Sequence, residues 1–170
     1  FYGSRLRTTE LDGQMLDFYL IVSSYADTYS KSWLVSANRL LPPNVFPAEH
    51  EGLVAKVAVL SEDDFRRLNQ PAASAVSVWA RFAQPSRLVW SVDETAREKV
   101  VESIQFACLT LFELTLPMMQ NETPSDRLAV WRRGFALTYG AELRAERGNR
   151  PGSVVDAEPD RYARFGEAVI

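Results

Sequence analysis

The sequence predicts an α/β fold, and three observations carry that expectation. Residues 15–22 (MLDFYLIV) and 53–60 (LVAKVAVL) are nearly continuous apolar runs with β-branched and aromatic content, the pattern of strands buried on both faces. Segments with helical spacing lie between and behind them, so the front of the chain reads strand, helix, strand, helix, strand. The chain has 170 residues, 46% of them hydrophobic, which closes one sizeable core and is too short for two ordinary domains. The expected organisation is a sheet-forming part over residues 1–92 and a helical part over 93–170, packed as one compact unit.

Taken in order, Phe1-Tyr2 reads as the end of a strand entering a turn at Gly3-Ser4, and with no initiating methionine it suggests a segment upstream. Asp17 is the one charge inside the first apolar run. Trp33, Ala37, Leu40 and Leu41 recur at helical spacing, which predicts a helix over 27–41; Pro42-Pro43 ends it because proline cannot continue the hydrogen-bond ladder. The proline-rich and polar stretch to Gly52 reads as a loop. The second strand carries Lys56 at its centre. Ser61 is placed as an N-cap, with Glu62, Asp63 and Asp64 in the first turn, where the helix dipole favours acids. That helix runs to Asn69. Residues 72–82 read as a further helix, broken at Gln84-Pro85 ahead of a third strand over 87–92 (RLVWSV). Val100, Ile104, Ala107, Cys108 and Leu111 then mark a helix over 93–116, and Leu128, Trp131, Phe135 and Thr138 another over 125–146. Residues 147–159 read as a loop, and 160–170 as a last short helix.

Nineteen basic residues against twenty-two acidic ones give a net charge of −3, so the overall field gives no reason to expect nonspecific nucleic-acid binding. Sixteen of the nineteen are Arg, whose rigid fork suits phosphate. The single cysteine, Cys108, cannot form an internal disulfide, and with His50 as the lone histidine there is no Cys/His cluster for a structural zinc. No stretch reaches the roughly eighteen consecutive apolar residues of a membrane span. The nearest, over 106–119, is interrupted by Glu113 and Pro117.

The most informative spacing is Gly3-Ser4, twelve residues, then Asp17 inside a strand. Glycine permits close backbone approach to a phosphate, and an acid in an apolar strand calls for a cation to offset its desolvation. This pattern resembles the nucleotidyltransferases of the polymerase β type, where a Gly-Ser turn cradles a triphosphate and strand carboxylates hold Mg²⁺ against it. That superfamily usually shows Asp-x-Asp, whereas here Tyr19 takes the second position, leaving Glu10 and Asp12 as candidates for another carboxylate. The same residues also read as a common turn, a strand-end or Arg-paired Asp, and a solvated hairpin.

The later segments carry a more specific resemblance. Residues 53–60 with the SEDDF that follows, WARFAQPSRLVW at 79–90, and FALTYGAELRAE at 135–146 resemble, in the same order, the mitochondrial translocator assembly and maintenance family of CDP-diacylglycerol synthases (phosphatidate cytidylyltransferases). The matching positions are Gly3-Ser4, Asp17-Phe18, Lys56 with Ser61 to Asp64, Arg81 with Gln84-Pro85, and Tyr139 with Glu142 and Arg144, spread over about nine-tenths of the chain. The chain departs from the family at Ala80, where glycine is common, at Gln84, where lysine is, and in the helix of Trp33 and Asn38, which lacks the usual histidine. It resembles a divergent, bacterial branch.

The resemblance implies a polymerase β-type nucleotidyltransferase sheet followed by a helical region. It also implies transfer of CMP from CTP to phosphatidate, giving CDP-diacylglycerol and pyrophosphate. Gly3 and Ser4 would contact the CTP phosphates, Asp17 would ligate Mg²⁺, Lys56 would neutralise phosphate charge, and Arg81 would clamp a phosphate. Lys56 reads equally as a strand-edge lysine snorkelling to solvent, and Arg81 as a helix-end arginine serving carbonyls. Asp63 and Asp64 read as first-turn helix acids, Tyr139 as a core anchor, Trp79, Trp90 and Trp131 as packing residues, and His50 as a surface residue. A lipid substrate implies peripheral membrane contact, at a bacterial cytoplasmic face or the matrix side of the inner mitochondrial membrane. The terminal Arg161, Tyr162, Arg164 and Phe165 would form the amphipathic contact. Two other readings stand beside this one: a nucleotidyltransferase with a soluble acceptor, and a non-catalytic nucleotide-binding scaffold.

Overall fold

The computed structural model describes residues 1–2, 15–119, 127–141 and 154–169. These form a mixed α/β structure, a three-stranded sheet and a set of helices, divided into two compact units. The first comprises Phe1–Arg67 and Gln84–Ser103, the second Leu68–Ala83 and Ile104–Ile170.

The sheet of the first unit has the order β1-β3-β2. β1 (Met15–Val22) runs parallel to β3 (Leu53–Ser61), with Met15 opposite Val54 and Val22 opposite Ser61. β2 (Asn44–His50) is antiparallel to β3. Both apolar runs therefore become neighbouring parallel strands, although neither is buried on both faces: Met15, Leu20 and Val54 are exposed. β2 corrects the loop expected over 42–52. The chain turns between His50 and Leu53 through Glu51 and Gly52 at φ 49° and 81°, the two-residue hairpin whose backbone twist matches its strands. Pro47 is tolerated because β2 lies at the sheet edge.

Between β1 and β2 the expected single helix over 27–41 is two, α1 (Tyr25–Thr28) and α2 (Ser32–Leu40). The Ser24 hydroxyl caps α1 by accepting from the Ala26 N–H. In α2 the buried residue is Asn38; of the four residues whose spacing predicted the helix, Trp33, Leu40 and the C-cap Leu41 are exposed and Ala37 is half-buried. Asn38 works as a polar clamp. Its Oδ1 accepts from the Tyr29 hydroxyl (2.7 Å) and the Asn44 N–H (3.3 Å), and its Nδ2 donates to the Val59 carbonyl of β3 (3.2 Å). A fully buried amide whose groups all find partners fixes the α2–β2 connection against the central strand.

Ser61 caps α3 (Glu62–Leu68) as expected, its hydroxyl accepting from the Asp64 N–H at 3.2 Å. Asp64 also accepts from the Tyr25 hydroxyl at 2.7 Å and pairs with Arg67, which ties α1 to α3. Asp93 caps α5 (Glu94–Thr115) through the Ala96 N–H. In the first unit α5 and α3 are bridged by Lys99–Glu62 (2.8 Å) and Arg66–Glu102 (3.6 Å), beside a cavity of about 170 Å³.

The second unit contains α4 (Trp79–Phe82), the rear of α5, a 3₁₀ turn (Leu116–Met119), α6 (Arg127–Ala141) and α7 (Pro159–Val169). Its core is aromatic. Trp131 meets Phe112 and Tyr162 edge-on, at centroid distances of 4.8 and 5.0 Å, and its indole N–H donates to the Tyr162 carbonyl at 3.0 Å. Gly134 lets α6 approach α5: a Cβ there would stand 2.8 Å from both Leu111 Cγ and Thr115 Oγ1.

Three further expectations are corrected. Only Trp79–Phe82 of the helix expected over 72–82 forms, since Ser74, Val76, Ser77 and Val78 are weak helix formers. Residues 87–92 are not a strand: the apolar pattern supplies β propensity, but the described ladder bonds of this segment stop at Ser86 and Arg87, and Trp90 is exposed rather than packed. Tyr162 is buried, so the terminal helix directs it to the core and not to a membrane surface. Of the loop expected over 147–159, residues 154–156 are helical, and the part over 147–153 lies outside the described residues. α5 with its 3₁₀ extension is also one helical stretch long and apolar enough to cross a membrane by length and composition, although no run of eighteen apolar residues marks it. A soluble core helix passes the same test, and Ala107, Leu111 and Phe112 of this helix are buried in the second unit.

Candidate functional site

In a parallel pair, residues in register turn their side chains to the same face, and Asp17 of β1 is in register with Lys56 of β3. The two therefore stand side by side, about 4.8 Å apart at the backbone. On the next strand Pro47 is opposite Lys56. Met15, Val54 and Glu49 form the neighbouring row on one side, and Tyr19, Ala58 and Val45 the row on the other. Asp17 is half-buried and Lys56 exposed, and among the described residues no ion pair joins them.

The two ends of this face differ. Beyond Tyr19, Ile21 joins Phe65 of α3 and Val100 of α5 in lining the cavity, so helices cover that end. Around Asp17 and Lys56 the face is open, with Met15, Val45 and Val54 exposed. The opposite face carries Phe18 and Phe46, the former against Phe1 and the latter against Tyr29. One face of the sheet thus carries aromatic contacts, with Leu20 exposed beyond Phe18, while the other presents an acid and a base beside each other with Met15, Val45, Val54 and Glu49 around them.

Tyr2 closes the outer edge of β1 beside the acid. Its N–H donates to the Asp17 carbonyl at 3.1 Å, and its ring lies 5.1 Å from that of Tyr19. Tyr19, at the position where a second acid would stand, is thus part of an aromatic pair. Sequence reasoning did not place Tyr2, Pro47 or the exposed Val45 at this face. The Glu51-Gly52 turn was the available signal for β2, and through β2 for Pro47 and Val45.

The structure therefore brings Asp17 and Lys56 together. Arg81 belongs to the second unit, on α4, where its Nη1 donates to the Ser77 carbonyl at 2.9 Å. Gly3, Ser4, Glu10, Asp12, Glu142 and Arg144 lie outside the described residues, as does the side chain of Tyr139. Asp64 is engaged with Tyr25 and Arg67, and Asp63 lines the cavity. Burial pushes the Tyr25 phenol up to about 12, with the bonded Asp64 adding to the shift. Burial also raises the Cys108 thiol to about 11, which keeps it a neutral packing group. His50 is at the surface, its side chain 88% exposed.

As a donor set, Asp17 supplies one hard carboxylate on an open face, and among the described residues no cluster of three or more His, Cys, Asp or Glu side chains stands ready for a metal. That chemistry suits Mg²⁺, which takes one or two carboxylates and fills its remaining positions with water and substrate phosphates. Lys56 beside it suits the same phosphates as a point charge. No family model matches the chain, and no curated protein matches it.

Proposed function

We propose that this chain is a polymerase β-type nucleotidyltransferase that transfers CMP from CTP to phosphatidate, forming CDP-diacylglycerol and releasing pyrophosphate. The observation that carries the reading is the lateral pairing of Asp17 with Lys56 on an open sheet face. The ordered resemblance of the surrounding segments to the CDP-diacylglycerol synthase family supports it.

A phosphate monoester is already anionic near neutral pH, so a phosphate oxygen of the acceptor attacks the α-phosphorus of CTP without a strong general base. The bond from the α-phosphorus to the bridging oxygen breaks, and pyrophosphate leaves with the electron pair. The work left to the protein is alignment and charge neutralisation. Asp17 would hold Mg²⁺, which when bound supplies Lewis-acid stabilisation of phosphoryl oxygens. Lys56 binds the polyphosphate and offsets the charge that develops on the leaving group. Gly3 and Ser4 are proposed as further phosphate contacts on the resemblance alone. Met15, Val45 and Val54 give the open face an apolar border suited to an acceptor with a lipid body, and contact with a membrane surface follows from that acceptor.

The test is CDP-diacylglycerol and pyrophosphate formation by the purified chain from CTP, Mg²⁺ and phosphatidate in mixed micelles. Activity that falls at least about 100-fold in Asp17→Asn is the expected result. A folded chain giving no product where a known synthase works would overturn the assignment.

A further inference from the structure

Tyr2 and Tyr19 stand on the same sheet face as Asp17 and Lys56. Residues directly opposite each other in an antiparallel bridge turn their side chains to one face, and Tyr2 is opposite Asp17. Tyr19 is two residues beyond Asp17 on β1, which returns its side chain to the face of the acid. The ring contact between the two tyrosines, with centroids 5.1 Å apart and planes at 50°, agrees with both placements. One row of the face therefore runs Tyr2, Asp17, Lys56, and the next row begins with Tyr19.

The two sides of the charged row differ. On one side Met15 and Val54 are exposed aliphatic residues, with Glu49 next to them on β2. On the other side Tyr19 supplies an aromatic ring about 6.6 Å along the strand from Asp17. Beyond it the helical cover begins, at Ile21. Neither tyrosine is closed off, since both are half-buried. Both are also fixed through the main chain: Tyr2 is bridged to Asp17 on one side and to Ser86 on the other, and Tyr19 lies within the β1–β3 ladder opposite Ala58. Fixed and partly exposed rings, beside a charge pair suited to phosphate, match the needs of a nucleotide. Every base presents a π face for stacking, and the ribose sets that base apart from the phosphates by a span comparable with one row of the sheet.

We propose that Tyr19, with Tyr2 as its positioning residue, stacks on the base of the nucleoside triphosphate whose phosphates lie at Asp17 and Lys56. The inference rests on the proposed nucleotidyltransferase reading and deepens it, by placing the nucleoside on the Tyr19 side of the charged row. Stacking adds affinity without choosing among bases, so Tyr19 contributes to nucleotide binding and not to a preference for cytosine.

The experiment is isothermal titration calorimetry in Mg²⁺ with two ligands, CTP and inorganic tripolyphosphate, the second of which has the phosphates and no base. It is run on the unsubstituted chain, on Tyr19→Ile, which keeps β propensity and loses the ring, and on Tyr19→Phe, which keeps the ring. Tyr19→Ile is expected to weaken CTP binding by about tenfold or more and to leave tripolyphosphate binding unchanged, which also shows that its sheet face is intact. Tyr19→Phe is expected to bind both ligands as the unsubstituted chain does. A CTP affinity that survives Tyr19→Ile, or one that falls in equal measure with that for tripolyphosphate, would overturn this inference and leave the nucleotidyltransferase reading in place. Binding of neither ligand by the folded, unsubstituted chain would overturn both.

Discussion

The second unit closes on aromatic rings, with Trp131, Phe112, Phe135 and Tyr162 all buried and in contact, whereas the sheet of the first unit seats aromatic side chains on one face and leaves Asp17, Lys56 and their apolar neighbours open on the other. In the first unit much of the specificity comes from polar clamps, Asn38 under β3 and Asp64 between Tyr25 and Arg67. The difference separates two roles. Residues of the aromatic core hold the fold, while residues of the open face are available for chemistry because little of the fold depends on them.

The largest effect should fall on the aromatic core. Trp131→Ala removes the central ring and its bond to Tyr162, and a loss of about 3–5 kcal/mol by urea denaturation is expected. Val54→Ala on the open face should change stability by no more than about 0.5 kcal/mol. Similar losses in both would erase the contrast. Next in size is Asn38→Ala, which strands the Val59 carbonyl and the Asn44 N–H and should cost about 2–3 kcal/mol. A near-neutral result would mean that the clamp does not fix the first unit.

Tyr25 sharpens the comparison through pH. Its folded value of about 12 lies above the ordinary 10.0, so the unfolded chain releases this proton first. The associated stability is complete below pH 10 and is lost as pH rises towards 12. Tyr25→Phe should flatten the fall of the urea midpoint across that window. An unchanged slope would assign it to another group. The smallest effect is expected for Arg132→Ala, whose pair with Asp156 is exposed and contributes about 0.5 kcal/mol or less, readable as a shift in thermal midpoint.

The helical unit was the more legible in sequence. Leu111, Trp131 and Phe135 recur at helical spacing and are buried as that spacing implies. In the first unit the cap at Ser61 was legible because a polar residue there precedes three acids in a first turn. The sheet was legible only where it was apolar, at β1 and β3. Pro47 and the polar residues of β2 hid a strand, because an edge strand needs neither continuous apolarity nor every N–H. Residues 87–92 misled in the opposite sense: their composition favours a strand, but a strand also requires a partner, which local composition does not report. Asp17 and Lys56 were both visible as single charges within apolar runs. Their register could not be read from either run alone, since pairing is a property of two strands together.

The most direct test of the division between fold and chemistry is a paired measurement on Asp17→Asn: its urea midpoint and its rate of pyrophosphate release from CTP with Mg²⁺ and phosphatidate. The account predicts a midpoint unchanged to within about 0.5 kcal/mol and a rate lowered at least about 100-fold. A rate that survives the substitution, or one that falls only together with the stability, would contradict it.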